Sequence, residues 1–518
     1  MYLFNYSKYC RLINYWSERN ISGPKPIPYF GNTLSPILKG KQCVEMEWYK
    51  TYGRLYGVYE FAKPGLRVSD PVLIKQILVK DFHTFRNRRQ DADKIAVFKN
   101  TLNRARDGHW KRIRALISPT FTSGKLKHMY PLINECCRDF LAALNTDVST
   151  GRTEVELKEI MGAYSMDVIA SCAFATKTNT YSNPNNPFTT KCKAMFIERP
   201  FISFLSLILP TFIINNKLWK VMVKDPDLYA KFFLDISRDL IFERKNSGKT
   251  YNDFLQLLID VEREDSNTTT GADSVASDAL EGHHVNEGVD EQMAEKQALS
   301  GVVEKKLTEK EILGQCFLFF AAGYETTATT LSYCVYELAL NPDIQDLLVA
   351  ETKEAFNYKG NIDYDTLCRL PLLDAVLSET LRHYPPVLRL EREAMDDVVL
   401  TRGGNESIKI EKGVSMEIPI YSIHHDPDHY PNPFAFKPDR FLPENRHNIK
   451  PYTYLPFGSG PRNCIAMRFG LLEAKLVLAK MIQQFRFYSV PNTDVPVVFN
   501  AGSILLEPKR LVVGVGLR

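Results

Sequence analysis

The ten residues Phe457-Gly458-Ser459-Gly460-Pro461-Arg462-Asn463-Cys464-Ile465-Ala466 put one cysteine at the mouth of a glycine-rich loop. Directly after it, Met467, Leu471, Leu472, Leu476, Leu478 and Ile482 roughly follow helical spacing to about Phe485. A helix begins with unpaired, outward-pointing amides and the positive end of its dipole, so this placement predicts a stabilised thiolate at Cys464. A thiolate is the form that binds a soft or redox-active metal. Gly458 and Gly460 let the backbone approach a flat ligand, and Arg462 supplies a fixed cation for an acidic group. A loop cysteine taken alone is more often a small buried core residue.

A second stretch with chemical content is Ala321-Ala322-Gly323-Tyr324-Glu325-Thr326-Thr327. It lies in the middle of a helix opened by the capping box Thr308-Glu309-Lys310-Glu311 and closed near Asn341-Pro342. Gly323 weakens the helix, and the Thr326 hydroxyl is placed to bond back to the Ala322 carbonyl, so the pair predicts local widening and a groove. By itself this reads as a packing kink. Three other patterns are weak alone. Glu379-Thr380-Leu381-Arg382 sets a carboxylate and a guanidinium on one helical face, and Pro438-Asp439-Arg440-Phe441 follows later. Trp110 and Arg114 stand one turn apart, and Arg392 follows Leu390-Glu391.

Together, in this order, the stretches resemble the cytochrome P450 family from Gly23 to the C-terminus. The tracts SPTFTSGKLK, GAYSMDV and FGSGPRNC are most similar to its animal drug- and steroid-oxidising third family. The resemblance implies that Cys464 ligates the iron of haem b, with Phe457 also in the haem-binding loop. It places Trp110, Arg114, Arg392 and Arg462 on the haem propionates, a task suited to bidentate guanidiniums. Glu325 and Thr326 match the acid and alcohol that relay protons during oxygen reduction. Glu379, Arg382 and Arg440 match a buried structural network. Ala466 departs from the family's usual glycine. The resemblance also puts Phe319, Ala321, Ala322, Val387, Leu388, Ile504 and Leu505 around an apolar pocket.

The elements that must position these groups follow from composition and punctuation. The chain has 518 residues, 44% hydrophobic and 24% charged, which supports a large core. Short strands are expected at Leu55–Tyr59, Leu66–Ser69, Ser407–Ile410 and Ser415–Ile418, and most of the rest has helical periodicity. The expected class is mainly α (α+β), and the family's fold is a helix-rich lobe around haem with a small β-rich lobe. Residues 1–22 form an aromatic, basic N-terminal segment with no run of ~20 apolar residues. The family's microsomal members begin with a spanning anchor, so a lost first exon or attachment without a span is expected. Residues 23–518 read as a single domain, entered through the proline-rich hinge Gly23–Asn32. Within it, 262–306 is acidic and polar and reads as a largely disordered insertion between two helices; its His283-His284 pair reads as solvated.

A net charge of +4 argues against bulk nucleic-acid binding. Ten scattered cysteines, without CxxC spacing, argue against disulfides and zinc and fit a reducing, cytosol-facing compartment. The resulting expectation is a monooxygenase that inserts one oxygen atom into lipophilic xenobiotics, steroids or lipids. Its electrons would come from NADPH through cytochrome P450 reductase, with cytochrome b5 as a second donor. Lys111, Arg112, Lys125 and Lys127 would extend a basic docking face for the reductase's acidic flavin domain; a merely solvated basic face fits them equally. The alternative is a haem-thiolate isomerase acting on peroxides; relatives of that kind lack the acid–alcohol pair, which Glu325 and Thr326 retain. The expected location is the cytosolic face of the endoplasmic reticulum membrane, held peripherally by the aromatic N-terminus and Phe196–Leu209. That last stretch is apolar but broken by prolines, and core packing is its other reading.

Overall fold

The computed structural model describes residues 13–89, 99–183, 185–196, 226–247, 251–263, 288–304, 306–402, 407–501 and 505–518, with 209, 249, 286 and 503. Helices dominate. Those that matter for the site are α1 (Asp107–Ile117), α2 (Ser123–Ser149), α3 (Leu157–Phe174), α4 (Pro226–Ser247), α5 (Phe254–Arg263), α6 (Val289–Leu299), α7 (Glu309–Leu340), α8 (Pro371–His383) and α9 (Met467–Gln484).

The α7 helix is the axis of the helical lobe. Its capping box is formed: the Thr308 amide donates to Glu311 at 2.8 Å and the Glu311 amide to the Thr308 hydroxyl at 3.4 Å. Apolar residues surround it on most sides and it is buried along most of its length, as a core helix must be. It stops at Leu340, and Pro342 opens the next helix. Gly323 does not open a groove. A Cβ built there would lie 2.3 Å from Ile169 Cδ1, so the glycine is what lets α3 and α7 approach, and α7 runs unbroken past it.

The β lobe is a four-stranded sheet in the order β1 (Leu55–Glu60), β2 (Lys63–Val68), β6 (Ser415–Pro419), β3 (Arg389–Glu393). β1 and β2 form an antiparallel hairpin, β6 runs parallel to β2, and Arg392 of β3 faces Met416 across an antiparallel pairing. A separate hairpin joins β4 (Val398–Thr401) to β5 (Ser407–Ile410). All four expected strands form. β3, rich in charge, escaped the alternation rule because ion pairs compensate it: Arg389 reaches Glu417 at 2.5 Å and Glu45 at 3.0 Å.

Two expectations need revision. Tyr15 and Trp16 of the aromatic N-terminus are buried against the β lobe, with Trp16 Nε1 donating to the Val58 carbonyl at 3.0 Å. They do not offer a surface to a membrane. The segment 262–306 was expected to be largely disordered, yet it contains the helix α6; the periodicity rule passes over so short and polar an element. Residues 1–12, 197–208 and 210, and the pair His283-His284, lie outside the described residues.

Candidate functional site

The cysteine loop closes on itself. The Cys464 amide donates to the Phe457 carbonyl at 2.8 Å, and the Asn463 amide to that of Gly460 at 2.9 Å. Gly460 has φ +71°, and a Cβ there would lie 2.0 Å from the Leu78 carbonyl oxygen. Only glycine lets this loop seat against the turn Gln76–Lys80. Ala466, the departure from the family pattern, has φ −98° and needs no glycine.

Arg114 of α1 braces the loop, donating to the Asn463 carbonyl at 2.9 Å and to its side-chain oxygen at 2.5 Å. Arg462 donates to the carbonyls of Arg86 (2.5 Å) and Ala105 (2.7 Å), and lies 4.5 Å over the Trp110 ring. Arg392 donates to the Glu391 carbonyl at 2.8 Å. Four of the nominated residues, Trp110, Arg114, Arg392 and Arg462, are therefore buried around one loop. Arg88, half-buried, lies beside them, a residue that sequence reading missed because nothing in the tract RNRRQD marks one arginine from the next.

Burial, and then Arg88, Arg392, Arg114 and Arg106, push Arg462 down to about 8; burial and Arg88 push Arg392 down to about 9. Arginine keeps its proton in proteins, so this mutual repulsion is a demand for a bound anion. The Nε atoms of Arg114 and Arg392 are buried without hydrogen-bond partners, which makes the same demand geometrically. A planar group carrying two carboxylates, such as haem b, fits this donor set.

Cys464 keeps accessible surface on one side, while the protein packed around the rest of it desolvates the thiol and pushes it up. The Ala466 amide, Arg114 and Arg88 pull the other way. The helix terminus alone does not secure the thiolate, contrary to the expectation; a bound metal would complete the ionisation. Burial dominates Cys137, Cys172, Cys192, Cys316 and Cys334 more strongly, which leaves them as core thiols.

On α7 the Thr326 hydroxyl donates to the Ala322 carbonyl at 2.7 Å, as the sequence predicts. The neighbouring Thr327 lies beside the start of α9, where a Cβ on Gly470 would be 3.8 Å from its hydroxyl. This brings the threonine pair near the cysteine loop. Glu325 is not brought to Thr326. It is buried against Lys158 of α3, which also lies 3.5 Å from Glu507. Lys158 was not singled out in the sequence; the lone lysine in an apolar helix was the available signal. Phe319 is half-buried and packs edge-on against Phe121 and at a tilt against Phe254. Val387 and Leu505 do meet, in an isolated bridge, whereas Leu388 is core and Ile504 lies outside the described residues.

The supporting network forms as expected. Glu379 accepts from Arg382 at 2.7 and 2.9 Å, from Arg440 at 3.4 Å and from the Lys437 amide at 2.8 Å, with Glu379 and Arg382 fully buried. Arg382 also donates to the His424 carbonyl at 2.7 Å, while His424 Nε2 accepts from the Leu455 amide at 2.9 Å. The network thus reaches the entry to the cysteine loop.

The model of one family, cytochrome P450, matches residues 21–515. The chain belongs to the cytochrome P450 family. It is 36% identical over 506 residues to cytochrome P450 3A11 of Mus musculus, covering 96% of this chain and 92% of that one. Identity to cytochrome P450 3A2 of Rattus norvegicus is 37% over 503 residues, covering 96% and 91%. For cytochrome P450 3A7 of Homo sapiens it is 36% over 499 residues, with the same coverage. As a P450 this chain is a haem-thiolate monooxygenase, an oxidoreductase for lipophilic small molecules. The isomerase reading is not favoured. No helix among the described residues is long and apolar enough to cross a membrane.

Proposed function

We propose that Cys464 ligates the haem iron and that Trp110, Arg114, Arg392 and Arg462 hold the propionates, with Phe457 closing the loop. The observation that carries this reading is the convergence of buried guanidiniums, those of Arg114 and Arg392 with unpartnered Nε atoms, on the loop that presents the accessible Cys464. Thiolate-ligated haem supplies oxygen activation, the thiolate pushing electron density toward O–O cleavage. The chain's own residues supply the rest. Thr326 holds its hydroxyl on the Ala322 carbonyl, from which it can pass hydrogen bonds to water in the pocket. Glu325, next to it on α7 and paired with Lys158 of α3, is the acid of the relay.

The substrates are lipophilic xenobiotics, steroids or lipids, and the electron donor is NADPH–cytochrome P450 reductase, with cytochrome b5 as an accessory donor. The donor docks on the cysteine-loop side. Of the basic residues nominated for that face, Lys111 and Lys125 remain its contacts, because Arg112 is paired with Glu304 and Glu311 and Lys127 with Asp365. The protein works at the cytosolic face of the endoplasmic reticulum membrane, attached peripherally through Phe196–Leu209. Metabolite profiling of membranes containing the protein, reductase, NADPH and oxygen tests the activity: products should require both NADPH and reductase. Product formed from peroxides without NADPH would instead indicate the isomerase.

A further inference from the structure

The helix α6 lies across the cysteine-loop side of the molecule. At its start, Asn286 bonds the Tyr452 amide at 2.6 Å and the Tyr454 carbonyl at 2.6 Å, on the strand of chain that leads into the loop at Phe457. Asp290 then pairs with Lys75 at 2.6 Å and is drawn toward Lys80 as well. Ala294 packs onto the apolar cluster that contains Leu73, Ile77 and Leu78. Glu295 approaches Arg114 at 3.7 Å, the same guanidinium that braces Asn463. Beyond the helix, Glu304 reaches Arg112 at 3.4 Å. The elements that carry these cations, α1 and the turn Gln76–Lys80 with its preceding helix, flank the loop directly, as the seat of Gly460 on Leu78 shows.

The acids of one segment therefore occupy cations on the face where an acidic electron donor would dock. We propose that residues 288–304 are a displaceable acidic cover that competes with the donor's flavin domain for this face. The inference rests on the docking reading given above. Its energetics suit displacement. Asp290 and Glu304 keep 52% and 66% exposure in their pairs with Lys75 and Arg112, and such pairs contribute little each and weaken with salt, while the Glu295 contact to the buried Arg114 is long at 3.7 Å. An incoming acidic surface can therefore exchange with them, at the cost of a lower affinity and slower encounter than an uncovered face would give.

The test uses the haem-loaded full chain and the isolated flavin domain of the reductase as probe. The variant Asp290→Asn/Glu295→Gln/Glu304→Gln should bind the flavin domain about fivefold more tightly at low salt, with the gain fading as salt rises. Its dithionite-reduced carbon monoxide spectrum reports that the fold survives. In the unsubstituted protein, amide hydrogen exchange across Val289–Leu299 should accelerate when the flavin domain binds. Lys111→Glu/Lys125→Glu tests the docking reading separately, by weakening the same binding. If the lysine variant weakens binding while the acid variant leaves it unchanged, the cover is overturned and the docking face stands. Unchanged exchange, or protection of Val289–Leu299 on binding, also overturns the cover. If neither variant alters binding, the docking reading fails and the cover fails with it.

Discussion

Lys158 and Glu325 form an ion pair between α3 and α7 where both side chains are largely withdrawn from water, at 17% and 6% exposure. Breaking such a pair from one side strands a charge. Lys158→Met should cost about 3 kcal/mol at neutral pH, and Lys158→Met/Glu325→Gln should recover most of it. Urea midpoints of the four combinations give the coupling directly. A single-site loss below about 0.5 kcal/mol would place the pair in effectively solvated surroundings.

Thr326→Ala should leave haem and substrate binding intact, because among the described residues the hydroxyl bonds its own helix, at Ala322. Electrons should still arrive, but NADPH should be spent on peroxide, with product per NADPH falling about tenfold or more. Thr326→Ser should restore much of the coupling. A product yield per NADPH equal to that of the unsubstituted protein in Thr326→Ala would reduce the motif to a packing feature.

Within the Glu379 network the two arginines should differ in weight. Arg382 is fully buried and bidentate, whereas Arg440 keeps 14% exposure and a single 3.4 Å contact to Glu379. Arg382→Ala should cost about 3–5 kcal/mol and sharply lower recovery of haem-loaded protein. Arg440→Ala should cost less, because Arg382 and the Lys437 amide remain to Glu379. Denaturant midpoints in the opposite order would contradict the geometry.

Glu337 carries a pH signature. Burial pushes its carboxyl up to about 7 despite the Tyr384 hydroxyl donating to it at 2.6 Å. Between pH about 4.5 and 7 the folded protein holds this proton and the unfolded chain releases it, so this contribution to stability falls as pH rises. Glu337→Gln removes the term. Its stability relative to the parent should therefore rise by up to about 3 kcal/mol from pH 4.5 to 7, read from urea midpoints. A constant difference across that range would mean that Glu337 titrates normally.

What the sequence made legible has a common physical basis. The capping box at Thr308, the Thr326 back-bond, the loop at Cys464 and the Glu379–Arg382 pair are local, set by residues within a few positions of one another. Arg440 and the propionate arginines were reached only through the family resemblance, since nothing near them in sequence says what they face. Arg88 and the path of α6 over the cysteine-loop side depend on contacts between distant segments, and no local pattern encodes them; Lys158 stands out as the lone lysine of an apolar helix, but its partner Glu325 does not follow from that. Gly323 shows the converse hazard. A local rule reads it as a weak point in a helix, whereas Ile169 across the interface makes it a close-packing position.

The central claim is that Cys464 is the iron ligand, and the carbon monoxide spectrum of the reduced protein tests it most directly. The parent should show the red-shifted Soret band of a thiolate ligand. Cys464→Ser should abolish that band, while Cys136→Ser, at a partly buried thiol pushed up to about 12, should keep it. A red-shifted band that survives in Cys464→Ser would contradict the assignment and the site built around it.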